Sequence, residues 1–511
     1  MKPIGFFLIF LFCVPLAMAM PPYPGLLEDQ QGTLEIAQIP THNRETEGPQ
    51  FNMESYLQQK QKTLDAEATP FKVLVLLVNF TDKPAQVNPT AFDSLIFNDT
   101  VSSVRVFYRE NSYQQLDMVT VNYPSSVGWL TLNQTYAYYV DSAYGLGGYP
   151  QNTQKLTEDL VDMVDPIIDF SQYDNDGNGF VDGIVIVHPG RGAEFSGNTS
   201  DIWSHKWGIS YRLRDGVNIH TYSIQPEYWN SPGDITIGVY CHEIGHLFGL
   251  PDLYDTDNSA QGVGKWSLMA KGSWGGTLGN SPSHFDAWSK IRLGFVSPTI
   301  INGTQSVQIP NAENTSTVFL LRSNLTNSTE YFLVENRQKV GYDTSLPGAG
   351  LLIWHIDDTK TSNTKEWYPG YTTFGHLWVA LEQADGGWDL ERDIDQGDNG
   401  DPFPGSTLKT SFDGFTTPNS DSYADIKTGI SVSSISSSAM TMTAILSNDA
   451  ATALCGDVNG DNTVNTFDLS NLVQFLLLNG NAGNTDVNND AVTDINDIKY
   501  LTNHLFLQTT C

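Results

Sequence analysis

The sequence predicts a multidomain chain of mixed α and β structure, in which an α/β domain, a β-rich domain and a small all-α unit follow one another. The chain has 511 residues, more than the roughly 100–200 of a usual single domain. Apolar runs typical of buried strands alternate with helical patterns in its first part, and an Asp-rich repeat ends it. Hydrophobic residues make up 40% of the chain, which indicates folded rather than disordered domains.

The N-terminal segment, residues 1–19, has the pattern of a secretory signal peptide. Lys2 supplies a positive charge, the apolar run over residues 6–16 is too short to span a bilayer, and Ala17-Met18-Ala19 suits signal peptidase. An uncleaved anchor is the alternative. No other stretch is long and apolar enough to cross a membrane, so we expect the rest of the chain to be secreted.

Residues 20–68 differ in composition from the α/β domain predicted after them. They are rich in Pro, Gln, Glu and Thr and have little periodic apolar pattern, so we interpret them as a pro-region. The segment contains no cysteine, so a thiolate from it cannot impose latency by binding a metal.

The chain is strongly acidic, with 58 Asp and Glu against 26 Lys and Arg and a formal net charge of −32. This balance argues against nucleic-acid binding, which requires a basic surface opposite the phosphates. It fits an extracellular protein or one that binds several cations, although solubility alone explains the charge equally well.

Residues 69–297 are expected to form the α/β domain. The runs 71–80 and 183–188 have the aliphatic and β-branched content of buried strands, and residues 156–164 have a helical pattern between them. Residues 298–447 change to short alternating segments, such as 331–335 and 350–354, separated by Gly, Pro, Asn and Asp. This pattern of short alternating segments predicts a β-rich domain of the sandwich type.

A histidine pair lies on a further predicted helix. Ser231 is expected to cap this helix, Pro232 to occupy its first position, Asp234 to lie in its first turn, and Gly249 to end it in the left-handed conformation.

On such a helix, His242 and His246 are four residues apart and face the same way. Both imidazoles can therefore bind one zinc ion, while Glu243 lies beside the first ligand and can hold the metal-bound water. A chance occurrence of this five-residue pattern is the alternative.

The third zinc ligand follows the helix. The next glutamate is the distant Glu313, which argues against a thermolysin-like arrangement. Asp252 comes within reach once Gly249 turns the chain back, which gives the metzincin spacing with Asp in place of the usual third His. Asp255 and Asp257 remain as competing carboxylates.

Residues 266–270 can supply the Met-turn beneath the zinc, with Met269 as its methionine. Simple packing of Met269 in the core is an equal alternative. Some metzincins stabilise the oxyanion with a tyrosine two residues after this methionine. Lys271 stands at that position, so the sequence does not identify the oxyanion-stabilising group.

These residues predict a zinc-dependent endopeptidase. A single zinc ion would polarise the scissile carbonyl and lower the pKa of its water to about 7. Glu243 would act as the general base that takes the proton of the zinc-bound water and delivers it to the leaving amine.

An oxygen-rich loop precedes the second predicted strand. Asp174, Asp176, Asn178 and Asp182 stand at alternate positions around a glycine, as suits calcium, but Val185 replaces the acid expected at position twelve. We therefore predict a structural calcium site of altered geometry, with a solvated acidic turn as the alternative.

Residues 455–511 contain two copies of a stronger calcium pattern, each followed by a helical apolar pattern. The candidate ligands of the first copy are Asp457, Asn459, Asp461, Thr463, Asn465 and Asp468. Those of the second are Asp486, Asn488, Asp490, Val492, Asp494 and Asp497. Seven Asp against one Lys give this segment a net charge of −6, so we expect it to need two calcium ions to fold.

Segments across residues 69–445 resemble the immune inhibitor A family of secreted metallopeptidases. They are residues 77–82, 107–113, 188–194, 203–207, 335–337, 346–357 and 401–405. The resemblance implies a zymogen with a pro-segment, a metzincin-like (zincin) domain, and zinc held by His242, His246 and Asp252.

Residues 455–511 resemble a dockerin, because Asp rather than Glu ends each loop and the copies are closely spaced. This resemblance implies a cohesin module as partner, on a cell surface or a multi-enzyme scaffold. The contact positions are Thr466-Phe467 in the first copy and Ile495-Asn496 in the second, so symmetric two-way binding is in doubt. A calcium-stabilised stalk without a partner is the alternative.

Three cysteines remain after the predicted signal peptide. Cys455 and Cys511 bracket the last segment and are a candidate disulfide, whereas Cys241 is expected to be a buried free thiol.

The sequence leaves three functions open. The first is an active zinc endopeptidase tethered through a dockerin. The second is an adhesion or binding protein on an inactive zincin fold, which the intact His242, Glu243 and His246 argue against. The third is a carbohydrate-active enzyme, which would need two acids flanking a sugar cleft and which no motif suggests.

Overall fold

The computed structural model describes residues 18–24, 53–61, 69–100, 102–323, 329–373, 375–449, 458, 464–478, 493 and 495–507. Cys455 and Cys511, the predicted disulfide, lie outside this range. So do the following predicted calcium ligands: Asp457, Asn459, Asp461, Thr463, Asp486, Asn488, Asp490, Val492 and Asp494.

The strands are β1 (Met18–Ala19), β2 (Thr69–Lys72), β3 (Leu74–Asn79), β4 (Leu116–Val119), β5 (Trp129–Thr131), β6 (Ile184–Arg191), β7 (His205–Arg214), β8 (Val217–Tyr228), β9 (Thr299–Ile300), β10 (Thr304–Pro310), β11 (Phe319–Leu321), β12 (Glu330–Arg337), β13 (Gly350–Asp357), β14 (Val379–Leu381), β15 (Ser431–Ser433) and β16 (Thr441–Ser447). The helices are α1 (Met53–Gln61), α2 (Thr90–Phe97), α3 (Val104–Asn111), α4 (Pro124–Val127), α5 (Tyr136–Val140), α6 (Thr153–Val164), α7 (Ala193–Ser196), α8 (Ile237–Leu247), α9 (Ala287–Arg292), α10 (Thr466–Leu478) and α11 (Ile495–Leu507).

The chain divides into two compact units. The first contains residues up to 295 together with 342–345 and 362–364, and the second contains the remaining residues. Among the described residues, no helix has both the length and the apolar character that crossing a membrane requires.

The first unit is built on a six-stranded mixed sheet in the order β1-β7-β8-β6-β3-β5. Strands β8, β6, β3 and β5 are parallel, and β7 pairs antiparallel with β8. Residues 184–190 of β6 are all buried, as expected for a parallel strand covered on both faces. The predicted helix at 156–164 is confirmed as α6, which the Asn152 side chain caps by accepting a hydrogen bond from the Lys155 N–H.

The predicted strand 71–80 is wrong as a single element. Its first part, β2, pairs with β4 up to Lys72 and Val119, and its second part, β3, pairs with β5 and β6 from Leu74 onwards. The chain changes partner at Val73, whose N–H still donates to Val119 O at 2.8 Å. An unbroken apolar run does not reveal which neighbour each residue pairs with.

The second unit contains a three-stranded sheet, β10-β16-β15, and a five-stranded sheet, β14-β13-β12-β11-β9. Side chains from both sheets share one core, including Met442 and Val432 from the smaller sheet and Phe332 and Ile353 from the larger.

A buried histidine lies between two carboxylates in this second unit. His355 is 2% exposed, and its Nδ1 and Nε2 each donate to a carboxylate, Glu382 and Glu330, at 3.0 Å. The ring of Tyr423 stacks on it at 4.2 Å. Burial acts to lower the pKa of His355, but the two carboxylates outweigh burial and raise the pKa above its usual 6.5.

This arrangement predicts a pH-dependent stability of the second unit. Because the folded pKa of His355 is raised, its contribution to the free energy of unfolding is complete below about pH 6.5 and is lost as pH rises through the folded pKa. His355→Gln keeps a donor of similar size but does not titrate. Its melting temperature should fall furthest below that of the wild type at acid pH, with the gap closing as pH rises; parallel melting curves from pH 5 to 9 would contradict this interpretation.

The predicted helices of the C-terminal repeat are confirmed as α10 and α11, which pack through Leu472 and Leu501, together with Val458. Asp468 lies in the first turn of α10 and is fully buried, and its carboxylate accepts hydrogen bonds from the Val458 and Asn465 N–H groups at 2.8 Å. Asp497 holds the matching position in α11 and is equally buried.

Candidate metal centre and active site

Helix α8 carries the histidine pair, and all of its residues are buried. The helix begins later than predicted: Thr236, not Ser231, is its N-cap residue. The Asp234 carboxylate instead accepts the N–H groups of Trp229, Asn230 and Ser231 at 2.8–2.9 Å, which closes a turn ahead of the helix. Sequence preferences for caps apply equally to such a turn, which explains the error.

The end of α8 is as predicted. Gly249 has φ +88°, and the Leu250 N–H donates to Gly245 O at 3.2 Å, so the last turn closes and the chain reverses. This reversal brings Asp252 back to the two histidines.

Three metal-binding atoms converge at this point. Nε2 of His242 and Nε2 of His246 are 3.0 Å apart, and each lies 3.2 Å from Oδ1 of Asp252. Both Nδ1 atoms face backbone carbonyls, of Leu268 at 2.9 Å and Leu250 at 2.8 Å, so the Nδ1 hydrogens are committed there. The neutral imidazoles therefore present their Nε2 lone pairs to one point.

The spacing of these atoms fits zinc. Ligands at 2.0–2.2 Å from a tetrahedral ion lie about 3.3 Å from each other. Among the described residues, Asp252 Oδ1 has no hydrogen-bond donor although it is buried, which is costly unless a cation satisfies it. Three convergent atoms of the types that bind zinc form a set that a metal ion would stabilise.

Asp255 and Asp257 do not join the cluster. The Asp255 carboxylate accepts hydrogen bonds from Ser259 and from the Ala260 N–H at 2.7–2.9 Å, and Asp257 accepts from Ser259 as well. Both carboxylates are thus engaged within their own loop. Burial raises the pKa of Asp255 to about 6.

Glu243 lies beside this centre and is fully buried. Neither of its carboxylate oxygens has a hydrogen-bond partner among the described residues. Burial raises the pKa of Glu243 well above its usual range, the Asp252 and Glu194 charges raise it further, and the nearby N–H of Met20 acts in the opposite direction. In the part of the chain that the structure describes, both oxygens thus remain open to a hydrogen-bond donor such as a water molecule.

Met269 lies directly under the helix. A Cβ on Gly245 would be 2.7 Å from its Sδ, so a glycine between the two histidines is what lets the thioether pack there. The same segment supplies Leu268 O, the acceptor for His242, and Met269 O accepts the Leu253 N–H at 2.8 Å. The turn at Leu268 and Met269 therefore orients both α8 and the segment that carries Asp252.

Sequence reasoning missed a segment that lies along this site. Met18 and Ala19 pair antiparallel with Lys206 and His205 at the start of β7. The Met20 N–H then donates to Ser204 O at 3.0 Å, and Met20 is fully buried. The only available signal was Pro21-Pro22-Tyr23-Pro24, whose prolines favour an extended chain without fixing where it binds.

In the predicted calcium loop, the carboxylates of three of the four predicted ligands lie close together. Asp174, Asp176 and Asp182 each offer an oxygen within 4.8 Å of the others. Asn178 donates its side-chain amide to Asp176 at 3.0 Å. Burial raises the pKa of Asp182 to about 8, with the other two carboxylates adding to the shift, so a cation here would relieve an unfavourable charge.

A second acidic cluster, in the second unit, was missed. Asp385, Asp398 and Asp401 also bring carboxylate oxygens within 4.8 Å of one another. They are separated by thirteen and three residues and have no repeating spacing, so no motif singled them out.

Two family models match parts of the chain. Residues 90–294 match the family model of the immune inhibitor A peptidase M6 catalytic domain, and residues 455–506 match that of the dockerin type I domain.

The chain is 28% identical over 277 residues to the pre-pro-metalloprotease PrtV of Vibrio cholerae. The aligned region covers 43% of this chain and 29% of that relative. It is 29% identical over 282 residues to immune inhibitor A of Bacillus thuringiensis subsp. alesti. Here the aligned region covers 45% of this chain and 40% of that relative. The match thus spans less than half the length of these relatives.

Proposed function

We propose that the chain is a secreted zinc-dependent endopeptidase tethered through a dockerin, because residues 90–294 match the immune inhibitor A peptidase M6 catalytic domain and residues 455–506 match the dockerin type I domain. One observation carries the proposal: Nε2 of His242, Nε2 of His246 and Oδ1 of Asp252 converge within 3.0–3.2 Å, with both Nδ1 hydrogens engaged elsewhere.

In the proposed mechanism, the zinc ion and the protein have different roles. His242, His246 and Asp252 would hold a zinc ion, which would supply polarisation of the scissile carbonyl and a water molecule acidic enough to ionise near neutral pH. Glu243, whose two oxygens have no hydrogen-bond partner among the described residues, would accept the proton of that water and deliver it to the nitrogen of the departing amine. The Leu268 and Leu250 carbonyls hold the two imidazoles in the tautomer that leaves Nε2 available.

We also propose that the full chain is a zymogen in which residues 20–68 are the pro-region. The support is the start of this segment: Met20 is fully buried against the first unit, its N–H donates to Ser204 O at 3.0 Å, and its carbonyl accepts the Trp203 indole N–H at 2.7 Å.

The alternative of an inactive adhesion protein on the same fold fits less well. A binding protein gains nothing from a buried glutamate whose two oxygens lack hydrogen-bond partners in the part of the chain that the structure describes, since such a group destabilises the fold.

The test is an assay of casein cleavage by the full chain after activation by limited proteolysis, together with its metal content. We expect one zinc per chain, loss of cleavage with a zinc chelator, and recovery on adding zinc. Chelator-resistant cleavage, or a chain that binds no zinc, would sink the proposal.

Calcium in the dockerin and in the 174–182 loop belongs to the same proposal. Asp468 is buried with its carboxylate turned to the loop that precedes α10, where an ion would neutralise it. Such a domain would bind a cohesin module of a scaffold or cell surface.

The dockerin proposal predicts a change in calcium stoichiometry. Asp468→Ala should lower the number of calcium ions bound by the full chain by one, as measured by isothermal titration calorimetry. Ser470→Ala, on the exposed side of the same helix, should leave the number unchanged. Equal stoichiometry in both variants would argue against calcium at Asp468.

A further inference from the structure

The segment that carries Asp252 is neither helix nor strand. Residues 248–263, all of them described by the structure, form turns and bends between α8 and the 3₁₀ turn that begins at Gly264. No regular ladder of backbone hydrogen bonds therefore fixes Asp252, whereas His242 and His246 are fixed by their helix. The position of the Asp252 carboxylate depends on the individual contacts of its own segment.

These contacts converge on Leu253, the residue directly after Asp252. The Leu253 N–H donates to Met269 O at 2.8 Å. The Leu253 carbonyl accepts two hydrogen bonds, from the Val263 N–H at 3.0 Å and from the Asn363 side-chain amide at 2.9 Å. The peptide groups on both sides of Leu253 are thus held, which limits how far Asp252 can move from the two histidines.

Asn363 comes from a distant part of the sequence. It follows Leu253 by 110 residues and lies beyond the match to the peptidase family model, which ends at residue 294. Residues 362–364 nevertheless belong to the first compact unit, although the residues directly before and after them belong to the second. The candidate metal centre therefore draws on a residue outside the segment that identifies the family.

The burial of Asn363 indicates that its amide serves this contact. Asn363 is 1% exposed, whereas Ser362 before it and Lys365 shortly after it are exposed. Burying an amide is costly unless it forms hydrogen bonds, and an apolar side chain would fill the same space without that cost. A buried asparagine in a mostly exposed segment is best explained by the hydrogen bond that it donates to the Leu253 carbonyl.

The surroundings of this carbonyl leave little room for a substitute donor. Gly262 packs so closely that a Cβ there would overlap with Leu253 O and lie 2.7 Å from Tyr254 Cα. Leu253 and Tyr254 are 0% and 1% exposed, so a solvent molecule does not readily replace the Asn363 amide. Loss of this amide should therefore loosen the segment.

We propose that Asn363 is a positioning residue of the zinc site, whose amide fixes the Leu253 carbonyl and thereby holds Asp252 where it can bind the ion. This inference rests on the proposed zinc-dependent function. Loss of a contact behind a metal ligand typically lowers metal affinity by about 10- to 100-fold. Zinc binding, which needs no substrate, is therefore the property that reports on Asn363.

The test is a competition titration between a zinc chelator and the full chain, as wild type and as Asn363→Leu. Leucine is close to asparagine in size but has no donor, so we expect the dissociation constant for zinc to rise about 10- to 100-fold. Asn363→Ala removes the same donor without adding apolar atoms and should weaken zinc binding to a similar extent. Asn363→Gln keeps an amide and should weaken it less. Ser362→Ala, which changes an exposed neighbour, should bind zinc as the wild type does.

The melting temperatures of the zinc-free chains separate positioning of Asp252 from general support of the fold. A role in support alone would lower the zinc-free melting temperature of Asn363→Leu and Asn363→Ala but leave their dissociation constants for zinc unchanged. That result would overturn the inference and leave the peptidase proposal standing. Failure of the wild type to bind zinc would overturn the peptidase proposal and this inference with it.

Discussion

The Glu243→Gln chain is expected to lose peptide cleavage by about 10²- to 10⁴-fold, the range that general acid–base catalysis contributes. Glutamine has nearly the size of glutamate but cannot accept and return a proton. Neither Glu243 oxygen has a hydrogen-bond partner among the described residues, so the change breaks no such bond in the part of the chain that the structure describes. It also removes a buried carboxyl group whose charge burial disfavours, so folding should not suffer.

The measurement is kcat/KM on one peptide, with zinc content determined on the same sample. The variant should retain zinc, because His242, His246 and Asp252 are unchanged. Cys241→Ala is the matched control: Cys241 is a buried free thiol on the same helix, and it takes no part in the proposed chemistry. Wild-type turnover by Glu243→Gln would remove Glu243 from the mechanism.

Arg337→Met should destabilise the second unit by about 3–5 kcal/mol, the usual cost of breaking a buried ion pair from one side. Arg337 is fully buried on β12, with its Nη1 3.3 Å from Glu335 Oε1 and its Nε 3.6 Å from Glu313 Oε1. Methionine fills much of the same volume but leaves both buried carboxylates without the cation. The Trp354 indole N–H, 3.0 Å from Glu335, cannot replace a charge.

The effect should appear in denaturant unfolding followed by circular dichroism, as a transition of the second unit at lower denaturant concentration. Arg322→Met is the control, because Arg322 is exposed and lies over the Tyr331 ring at 4.3 Å, a contact worth about 0.5–1 kcal/mol. Adding Glu335→Gln to Arg337→Met should recover part of the loss. Equal stability of Arg337→Met and wild type would mean that the guanidinium does not hold the two carboxylates.

Local periodicity explains what the sequence could predict. Helix α8 follows from spacing, since residues four apart share a face, and a glycine such as Gly249 tolerates the left-handed turn that ends the helix. The two C-terminal helices follow from the same kind of pattern. The assignment of Asp252 as ligand remains a prediction, although Asp255 and Asp257 are engaged in their own loop.

The errors have a common origin in contacts between distant parts of the chain. The start of α8 depends on Asp234 closing a turn first, and the division of the first strand depends on β4 and β6 as neighbours. Nothing within Met20–Tyr23 reveals that Trp203 and Trp274 bind it, because those partners come more than 180 residues later. Such pairings are fixed by the folded sheet, not by local pattern.

The outer edge of β7 has a consequence for self-association. Among the described residues, β7 pairs on its outer side only through Lys206 and His205, at its start. Further along, its register with β8 shifts between Gly208 and Arg212, and two arginines follow there. Irregularity and charge both discourage unrelated chains from adding to an open strand. The outer edge of β7 is therefore poorly suited to the edge-to-edge pairing between chains that leads to fibrils.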